Sequence, residues 1–424
     1  MSSPFARAQM LRQHRRHEEA VAMLHAHLAH HPDDASAHIE LALNRIEMQG
    51  SKAMALEDAR KATGLSPNDP FPLALQANIL CQLDREKEAL VMAEAAIAMD
   101  PEDVYSWNAK TLALCGLSRW KEAEESARQA LELDPDDESA SNLMAHVFRL
   151  QNKLDESQQE SRRRLARDPD NAFSFANSGW AALQRGQVQE AEQMFKEALR
   201  LQPDLKFAKD GLKESYRARS AFYRLFLRWA FFMQRFSDKY QMLIVIGVVF
   251  GFRIVRGIAA AVHPLLALVV MFVYYMFLFG TWLSSGIANF LILKDPVARL
   301  SLDRSEKVEG VAIGILFFGG LLTLAGGAIT EFLPVAVAGG TMMVAAIPAS
   351  MVFTNESVKG RFVFGSCMAA VLVLGGVVTA DMAANPSLDL GEGKSGPAFS
   401  LMLVIAMITT WLGMVPSLRR ANPE

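Results

Sequence analysis

The chain has 424 residues, of which 43 are Lys or Arg and 46 are Asp or Glu, so its net charge is −3. Division after Ser215 separates a first part of net charge −9 from a second part of net charge +6. Hydrophobic residues make up 51% of the chain, which excludes a disordered protein, and the apolar runs of the second part exclude a single soluble domain. We therefore expect a soluble domain followed by a membrane domain.

Two features indicate that the first part lies in the cytoplasm. The three scattered cysteines, Cys81, Cys115 and Cys367, form neither a disulfide framework nor a zinc site and fit a reducing compartment. The first twenty residues contain no apolar core of signal-peptide length. A cytoplasmic location of residues 1–215 is the expectation.

Residues 1–215 contain an internal repeat. Prolines recur at spacings of 35, 34, 34, 34 and 34 residues, and each lies in a short acidic turn where a new helix is expected to begin: Pro32, Pro67, Pro101, Pro135, Pro169 and Pro203. Alanines recur twelve and five residues before most of these prolines: Ala20, Ala55, Ala89, Ala123, Ala191, Ala62, Ala96, Ala130 and Ala198. Such small residues predict two closely packed helices in each unit.

This pattern resembles the tetratricopeptide repeat, whose period is 34 residues, and RGQVQEAEQMFKEALRLQPD is its clearest stretch. The resemblance covers six units and implies an all-α superhelical solenoid. Its groove, lined by the first helix of each unit, would bind a peptide or helix of a partner protein and perform no chemistry. Three departures are notable: Arg7 and Arg12 weaken the first helix, repeat two has one extra residue near Gln49–Gly50, and repeat five has serines at small positions.

Projection onto the first helices places seven side chains in the groove: Asn78, Tyr105, Asn108, Asn142, His146, Arg149 and Trp180. Asparagine offers a donor and an acceptor to a peptide backbone, and an aromatic ring offers an apolar anchor. The alternative is that these are ordinary solvated positions. The lysines that accompany asparagines in chaperone-tail clamps of the family are not found here, so we do not expect that specificity.

Two charged clusters in the first part are interpreted as surface features rather than as ligand sites. Seven histidines crowd the first repeat, and His27 and His31 have helical spacing, but neither a cysteine nor a close acidic pair completes a metal site. The basic run from Arg162 to Arg167 is interpreted as a solvated face, with contact to anionic lipid as the alternative. We predict neither a metal, a cofactor nor a nucleic-acid partner.

Residues 216–240 are predicted to form an amphipathic helix. At 100° per residue, aromatic side chains such as Phe222, Phe226 and Trp229 share one face, and arginines occupy the opposite face. This arrangement favours a helix in the headgroup layer of an anionic leaflet. The alternative is a helix whose aromatic face closes the end of the repeat array.

Residues 241–424 are predicted to cross the membrane six times, since each apolar segment is close to the ~20 residues that a span requires. The spans are 241–262, 264–285, 310–329, 332–353, 362–380 and 398–416. Lys and Arg concentrate in alternate loops, as at Lys294 and Arg299, and in the tail at Arg419 and Arg420. The positive-inside rule then places both termini in the cytoplasm.

Four charged residues lie near the outer boundary of these spans: Arg253, Arg256, Glu331 and Asp381. A buried arginine costs roughly 2.5–3.5 kcal/mol on insertion scales unless it is solvated or paired. We therefore expect both arginines to be structural and held by Glu331, Asp381 or the outer lipid headgroups. Glycine pairs in the spans predict close helix packing, within one chain rather than between copies.

The membrane part shows no convincing catalytic set. Ser284–Ser285–Gly286 is similar to the nucleophile segment of rhomboid proteases, but no later span supplies a histidine base. The whole arrangement resembles uncharacterised bacterial inner-membrane proteins that join a repeat array to a multispan domain. The predicted function is a non-enzymatic, membrane-anchored scaffold that recruits a protein or peptide. A transporter or channel with a regulatory repeat domain is the alternative, an intramembrane enzyme is less favoured, and homo-oligomerisation is left open.

Overall fold

The computed structural model describes residues 4–48, 50–296, 298–355, 357–385, 395–413 and 418; the side chains of 4, 5, 238, 264, 265, 268, 272, 275, 276, 278 and 279 are outside this description. Within these limits all regular structure is helical, as the sequence predicts. The chain divides into two compact units. Unit 1 comprises residues up to Ala208 together with Phe232–Gln241, and unit 2 comprises Lys209–Phe231 together with residues from Met242 onward.

Unit 1 is built from six consecutive helix pairs, one for each predicted repeat. The pairs are α1 (Pro4–Gln13) with α2 (His17–Leu28), α3 (Ala35–Ile46) with α4 (Lys52–Leu65), α5 (Phe71–Gln82) with α6 (Glu86–Met99), α7 (Val104–Gly116) with α8 (Trp120–Leu133), α9 (Glu138–Leu150) with α10 (Leu154–Arg167), and α11 (Ala172–Arg185) with α12 (Val188–Leu201). The nine alanines named above are completely buried. The small-residue positions therefore do hold the paired helices together.

Each repeat is punctuated by two local devices. The prolines lie in the turn before the first helix rather than at its first position, and in three repeats the acidic residue two positions after the proline caps that helix. Asp34, Asp103 and Asp137 accept hydrogen bonds from amides of the first helical turn. Between the two helices of every repeat one residue has a left-handed backbone: Arg15, Gly50, Asp84, Ser118, Asn152 and Gly186, with φ between 56° and 84°.

Two irregular repeats fold despite their sequences. The first helix is held by the buried Ala8 and by two contacts with Glu40 of α3. The Glu40 carboxylate accepts a hydrogen bond from the Gln9 amide at 3.2 Å and forms an ion pair with the Arg12 guanidinium at 3.5 Å. In repeat five the buried Ser157 hydroxyl donates to the Ala145 carbonyl at 2.7 Å. The extra residue of repeat two was expected near position 49, which lies outside the described residues.

The predicted amphipathic helix is interrupted. Helices α13 (Lys206–Arg217) and α14 (Ala221–Met233) are separated by a turn, and a second turn precedes α15 (Asp238–Val262). The aromatic face of α14 packs against α16 (Pro264–Ile292), because Phe226 and Trp229 place their rings 6.1 and 5.2 Å from that of Phe277. A single continuous helix over 216–240 is therefore wrong, and these two aromatics are engaged within unit 2.

The remaining helices of unit 2 are α17 (Arg304–Gly314), α18 (Gly320–Ile329), α19 (Leu333–Phe353), α20 (Val358–Ala384) and α21 (Ser395–Leu412). A π-helical turn, Ile315–Gly319, joins α17 to α18, and a short 3₁₀ helix, Ala298–Ser301, precedes α17. By length and composition, five helical segments could cross a membrane: Lys239–Val262, Arg304–Ile329, Leu333–Phe353, Val358–Ala384 and Ser395–Leu412. The sixth predicted span, 264–285, falls in α16, where several side chains are outside the description.

Glycines let these helices approach closely, as the sequence predicts. A methyl group at Gly339 of α19 would clash with the Leu324 backbone nitrogen and the Gly320 carbonyl of α18. At Gly375 of α20 it would meet the Thr341 side chain of α19. At these positions the small residues serve packing within one chain.

Candidate functional site

The first helices of repeats three to six enclose a cavity of about 440 Å³. Five of the seven predicted groove residues line it: Asn78, Tyr105, Asn108, Asn142 and His146. The projection of first-helix positions therefore brings these five side chains to one surface. Further lining comes from residues that sequence reasoning missed, among them Leu112, Leu143, Phe173, Asn177 and Phe207.

Arg149 and Trp180, the other two predicted residues, are not among the lining side chains. The Arg149 guanidinium lies 5.6 Å from the centre of the Trp180 ring, and its Nη2 is 3.3 Å from His146 Nδ1. The Trp180 indole donates to the Phe207 carbonyl at 3.1 Å. These two residues join repeats five and six to the start of α13 and support the wall formed by His146 and Phe207.

The asparagines of the groove are partly used to connect the repeats. Asn108 Nδ2 donates to Asp137 at 2.8 Å, and Asn177 Nδ2 donates to the Asn142 carbonyl at 3.2 Å. The Oδ1 atoms of Asn108 and Asn177 have no hydrogen-bond partner within the described part of the chain. Both of these oxygens are buried away from solvent, so the amides that a ligand can reach are those of the half-buried Asn78 and Asn142, which also line the cavity.

Burial controls the charges beside the cavity. Burial, together with the Arg149 charge, lowers the pKa of His146 to about 3, so the imidazole is neutral at pH 7. Burial also lowers the pKa of Arg149 to about 10, which still leaves the guanidinium charged. Burial raises the pKa of the Tyr105 phenol to about 12. His146 and Tyr105 therefore contribute neutral rings to the wall of the cavity at pH 7, and the buried Arg149 cation lies behind them.

A segment from the end of α14 to the start of α15, which we call the strap (residues 232–241), belongs to unit 1. The Trp120 indole donates to the Arg235 carbonyl at 2.8 Å, and Arg235 Nη2 donates to Asn152 Oδ1 at 2.6 Å. The strap therefore contacts the helix-start and turn residues of repeats four and five. Sequence reasoning had no signal for this contact, because Trp120 and Arg235 are 115 positions apart.

Unit 2 contains a buried polar network that the sequence analysis also missed. Arg217 Nε donates to Asn289 at 2.9 Å, and Asn289 Nδ2 donates to Glu309 at 3.1 Å. Arg217 also forms ion pairs with Glu214 at 2.6 Å and Glu306 at 3.1 Å. Burial acts to lower the pKa of Arg217, but the carboxylate charges of Glu214 and Glu306 outweigh it and raise that pKa. Glu309 is a charged group inside the helix bundle that hydropathy did not single out.

The four predicted intramembrane charges are not brought together. Asp381 Oδ2 accepts the Ser395 amide at 3.0 Å, and Oδ1 lies 3.4 Å from Asn385 Nδ2. Glu331 is exposed in a left-handed turn, with φ of 54°. Among the described residues neither Arg253 nor Arg256 forms an ion pair with these carboxylates. The expected shared acidic site is therefore replaced by local hydrogen bonds of Asp381.

The remaining sequence features are used locally. His27 Nε2 is 2.8 Å from Asp34, and the described part of the chain contains no group of three potential metal ligands. Arg163 and Arg167 donate to the Pro135 carbonyl at 3.1 and 2.7 Å, so part of the basic run ties repeat five to the turn before it. The Ser285 hydroxyl lies 3.4 Å from Glu309.

Comparisons with known proteins agree with the repeat fold. The tetratricopeptide repeat family model matches residues 5–70 and 142–206. Similar solved structures include a thermophilic repeat protein of Thermus thermophilus (18% identity, 43% of this chain and 98% of that one, TM-score 0.40) and PilF of Pseudomonas aeruginosa (20%, 49% and 94%, 0.38). YrrB, a repeat protein with an unusual peptide-binding site, is 23% identical over 45% of this chain and 97% of its own, with a TM-score of 0.31.

No curated protein matches the chain. The family match lies within the six helix pairs of unit 1, and it does not extend to the apolar helices of unit 2. The repeat spacing, the helix pairs and the family match, over residues 5–70 and 142–206, together support tetratricopeptide repeats (TPRs) in the N-terminal half of the chain.

Proposed function

We propose that this protein is a membrane-anchored scaffold whose TPR groove binds a segment of a partner protein. The observation that carries the proposal is the cavity of about 440 Å³ on successive first helices. Its aromatic and aliphatic wall, including Tyr105, Phe173 and Phe207, suits an apolar anchor residue. The half-buried amides of Asn78 and Asn142, which also line the cavity, suit the backbone groups of an extended or helical peptide.

Phe173 offers a clean test, because it lines the cavity and is 40% exposed rather than built into the core. Peptides selected from a random library on the full-length protein in nanodiscs should lose affinity about tenfold for Phe173→Ala, the effect of removing one anchor. Leu133→Ala, at 41% exposure on the second helix α8, is the matched control and should not change Kd. Equal binding by both variants would remove the cavity from the proposal.

The membrane part of the proposal is supported by the five helices that are long and apolar enough to span a bilayer, and by the length of α16, which has 29 residues. We propose six spans in a bacterial inner membrane, with the TPR array and the C-terminus in the cytoplasm. In a variant lacking Cys81, Cys115 and Cys367, an impermeant maleimide should label Thr330→Cys from outside and leave Ser305→Cys protected. The reverse pattern would invert the topology.

One observation favours the second candidate, a transporter or channel with a regulatory TPR array. Glu309, Asn289 and Ser285 form a polar chain inside the bundle, where an anchor would need only apolar packing. Solute or ion flux through proteoliposomes that is abolished by Glu309→Gln would establish this candidate. Flux that is absent in the wild type leaves Glu309 as part of the network that holds α16 and α17 together.

A further inference from the structure

A cleft of about 370 Å³ lies beside two arginines of the first membrane helix. Arg253 and Arg256 are three residues apart on α15, and the cleft is completed by Val249, Phe252, Met271 and Tyr274. The Phe252 and Tyr274 rings are 4.6 Å apart and form one wall from α15 and α16. Two cations therefore meet an apolar surface at one place in unit 2.

The described part of the chain does not neutralise this pair. Within it, neither arginine takes part in an ion pair or a hydrogen bond. The Asp381 carboxylate accepts from the Ser395 amide, and Glu331 lies in an exposed turn. Charged residues in a membrane helix are costly unless they meet an opposite charge or water, and none of the described carboxylates supplies that charge here.

The surroundings of the cleft point to lipid rather than to a solute path. No residue in the most apolar stretch of Lys239–Val262 is buried inside the protein, and the Arg253 and Arg256 side chains are exposed. A conduit would need the charges to face the interior of the bundle. Arg256 is six residues from the end of α15, about 9 Å at the helical rise, within reach of the headgroup layer for a flexible arginine.

We propose that this cleft binds the phosphate of an anionic phospholipid. The inference rests on the membrane insertion proposed above. Guanidinium groups bind phosphate oxygens bidentately and are more weakly hydrated than ammonium groups. Val249, Phe252 and Met271 provide an apolar surface for the first part of an acyl chain. One ligand thus satisfies both the charge and the apolar lining.

The test measures the melting temperature of the full-length protein in neutral detergent during titration with dioctanoyl phosphatidylglycerol. The wild type should be stabilised by this lipid but not by dioctanoyl phosphatidylcholine or inorganic phosphate. The concentration for half the effect should rise at least tenfold in Arg253→Gln/Arg256→Gln. The double Lys variant, which keeps the charge, should retain part of the response.

The matched control is Arg299→Gln/Arg304→Gln, which removes two exposed arginines between the end of α16 and the first residue of α17 and should respond like the wild type. Equal losses in both Gln double variants, or an equal response to inorganic phosphate, would overturn the lipid site. Resistance to carbonate extraction is measured in parallel on native membranes. A protein that stays in the membrane but ignores the lipid contradicts this inference alone, whereas one that is extracted contradicts the membrane anchor.

Discussion

The repeat array and the apolar helices of unit 2 both rely on small residues, but they use different ones. In the repeats the closest positions are alanines such as Ala55, Ala89 and Ala123, all completely buried. In unit 2 they are glycines such as Gly320, Gly339 and Gly375, where an added methyl group would strike a neighbouring helix. In the repeats, the hydrophobic effect favours burial of the alanine methyl group. In lipid, the environment proposed for unit 2, helices are held together mainly by van der Waals contacts at close approach.

The repeats and unit 2 also differ in where they place their polar side chains. The repeats distribute them along the inter-repeat edges, as in Asn108 with Asp137, and place the half-buried amides of Asn78 and Asn142 at the groove. Unit 2 joins several of them in a network around Arg217, Asn289 and Glu309. The function that we propose accounts for this difference, because a peptide-binding groove needs accessible polar groups, whereas a bundle in lipid needs its polar groups satisfied internally. The following changes test this contrast, from the largest expected effect to the smallest.

Arg217→Met should destabilise unit 2 by about 3–5 kcal/mol, because it removes the cation from Glu214 and leaves the buried Asn289 Oδ1 without its donor, while Glu306 keeps its ion pair with Lys213. Arg219→Met is the control: its side chain is 46% exposed and its pair with Asp295 should be worth less than about 1 kcal/mol. Unfolding of the detergent-solubilised protein would give both values. Similar losses for the two variants would mean that the network has no special weight.

Gly339→Ala should destabilise the α18–α19 contact by about 1–3 kcal/mol, since the added methyl group meets backbone atoms that cannot move aside. Its neighbour Gly340 has open space around the corresponding position, so Gly340→Ala should be neutral or slightly stabilising. The melting temperatures of the two variants decide the point. A neutral Gly339→Ala would show that the helices can separate without cost.

The left-handed turn residues provide a test in the repeats. Gly186, with φ of 84°, should lose about 1 kcal/mol on change to Ala. Ser118, with φ of 56°, should gain a similar amount on change to Gly, because glycine adopts this conformation without strain. Hydrogen exchange of α7, α8, α11 and α12 in the full chain measures both. A destabilising Ser118→Gly would mean that the Ser118 side chain contributes more than the strain costs.

His146 should make the repeats sensitive to acid. Its folded pKa of about 3 lies below the unfolded value of about 6.5, so the unfolded chain takes up the proton first and stability is lost as the pH falls below about 6.5. Between pH 7 and 5.5 we expect a loss of about 1.3 kcal/mol, measured by hydrogen exchange of α9. His146→Leu should flatten this dependence, while the exposed His30→Leu should not. An unchanged slope in His146→Leu would assign the acid sensitivity to other groups.

Much of this protein follows from local sequence. A repeat contacts mainly its neighbours, so the 34-residue spacing is enough to predict six helix pairs, the buried alanines and five lining residues of the groove. The lengths of the apolar segments likewise predict long apolar helices in unit 2. Helix α17 begins six residues before the third predicted span, because Asp303 and Glu306 form a capping box there.

Contacts between distant, non-repeating positions could be decided only by the tertiary structure. Arg217 and Asn289 are 72 residues apart, and Trp120 and Arg235 are 115 apart, with no period that relates either pair. The direction of each amide in the groove and the local partners of Asp381 also depend on the exact placement of neighbouring helices. Hydropathy and periodicity indicate which face of a helix is buried. A hydrogen bond between two helices forms only when donor and acceptor are within a few ångströms, and no sequence pattern predicts how distant helices are placed relative to one another.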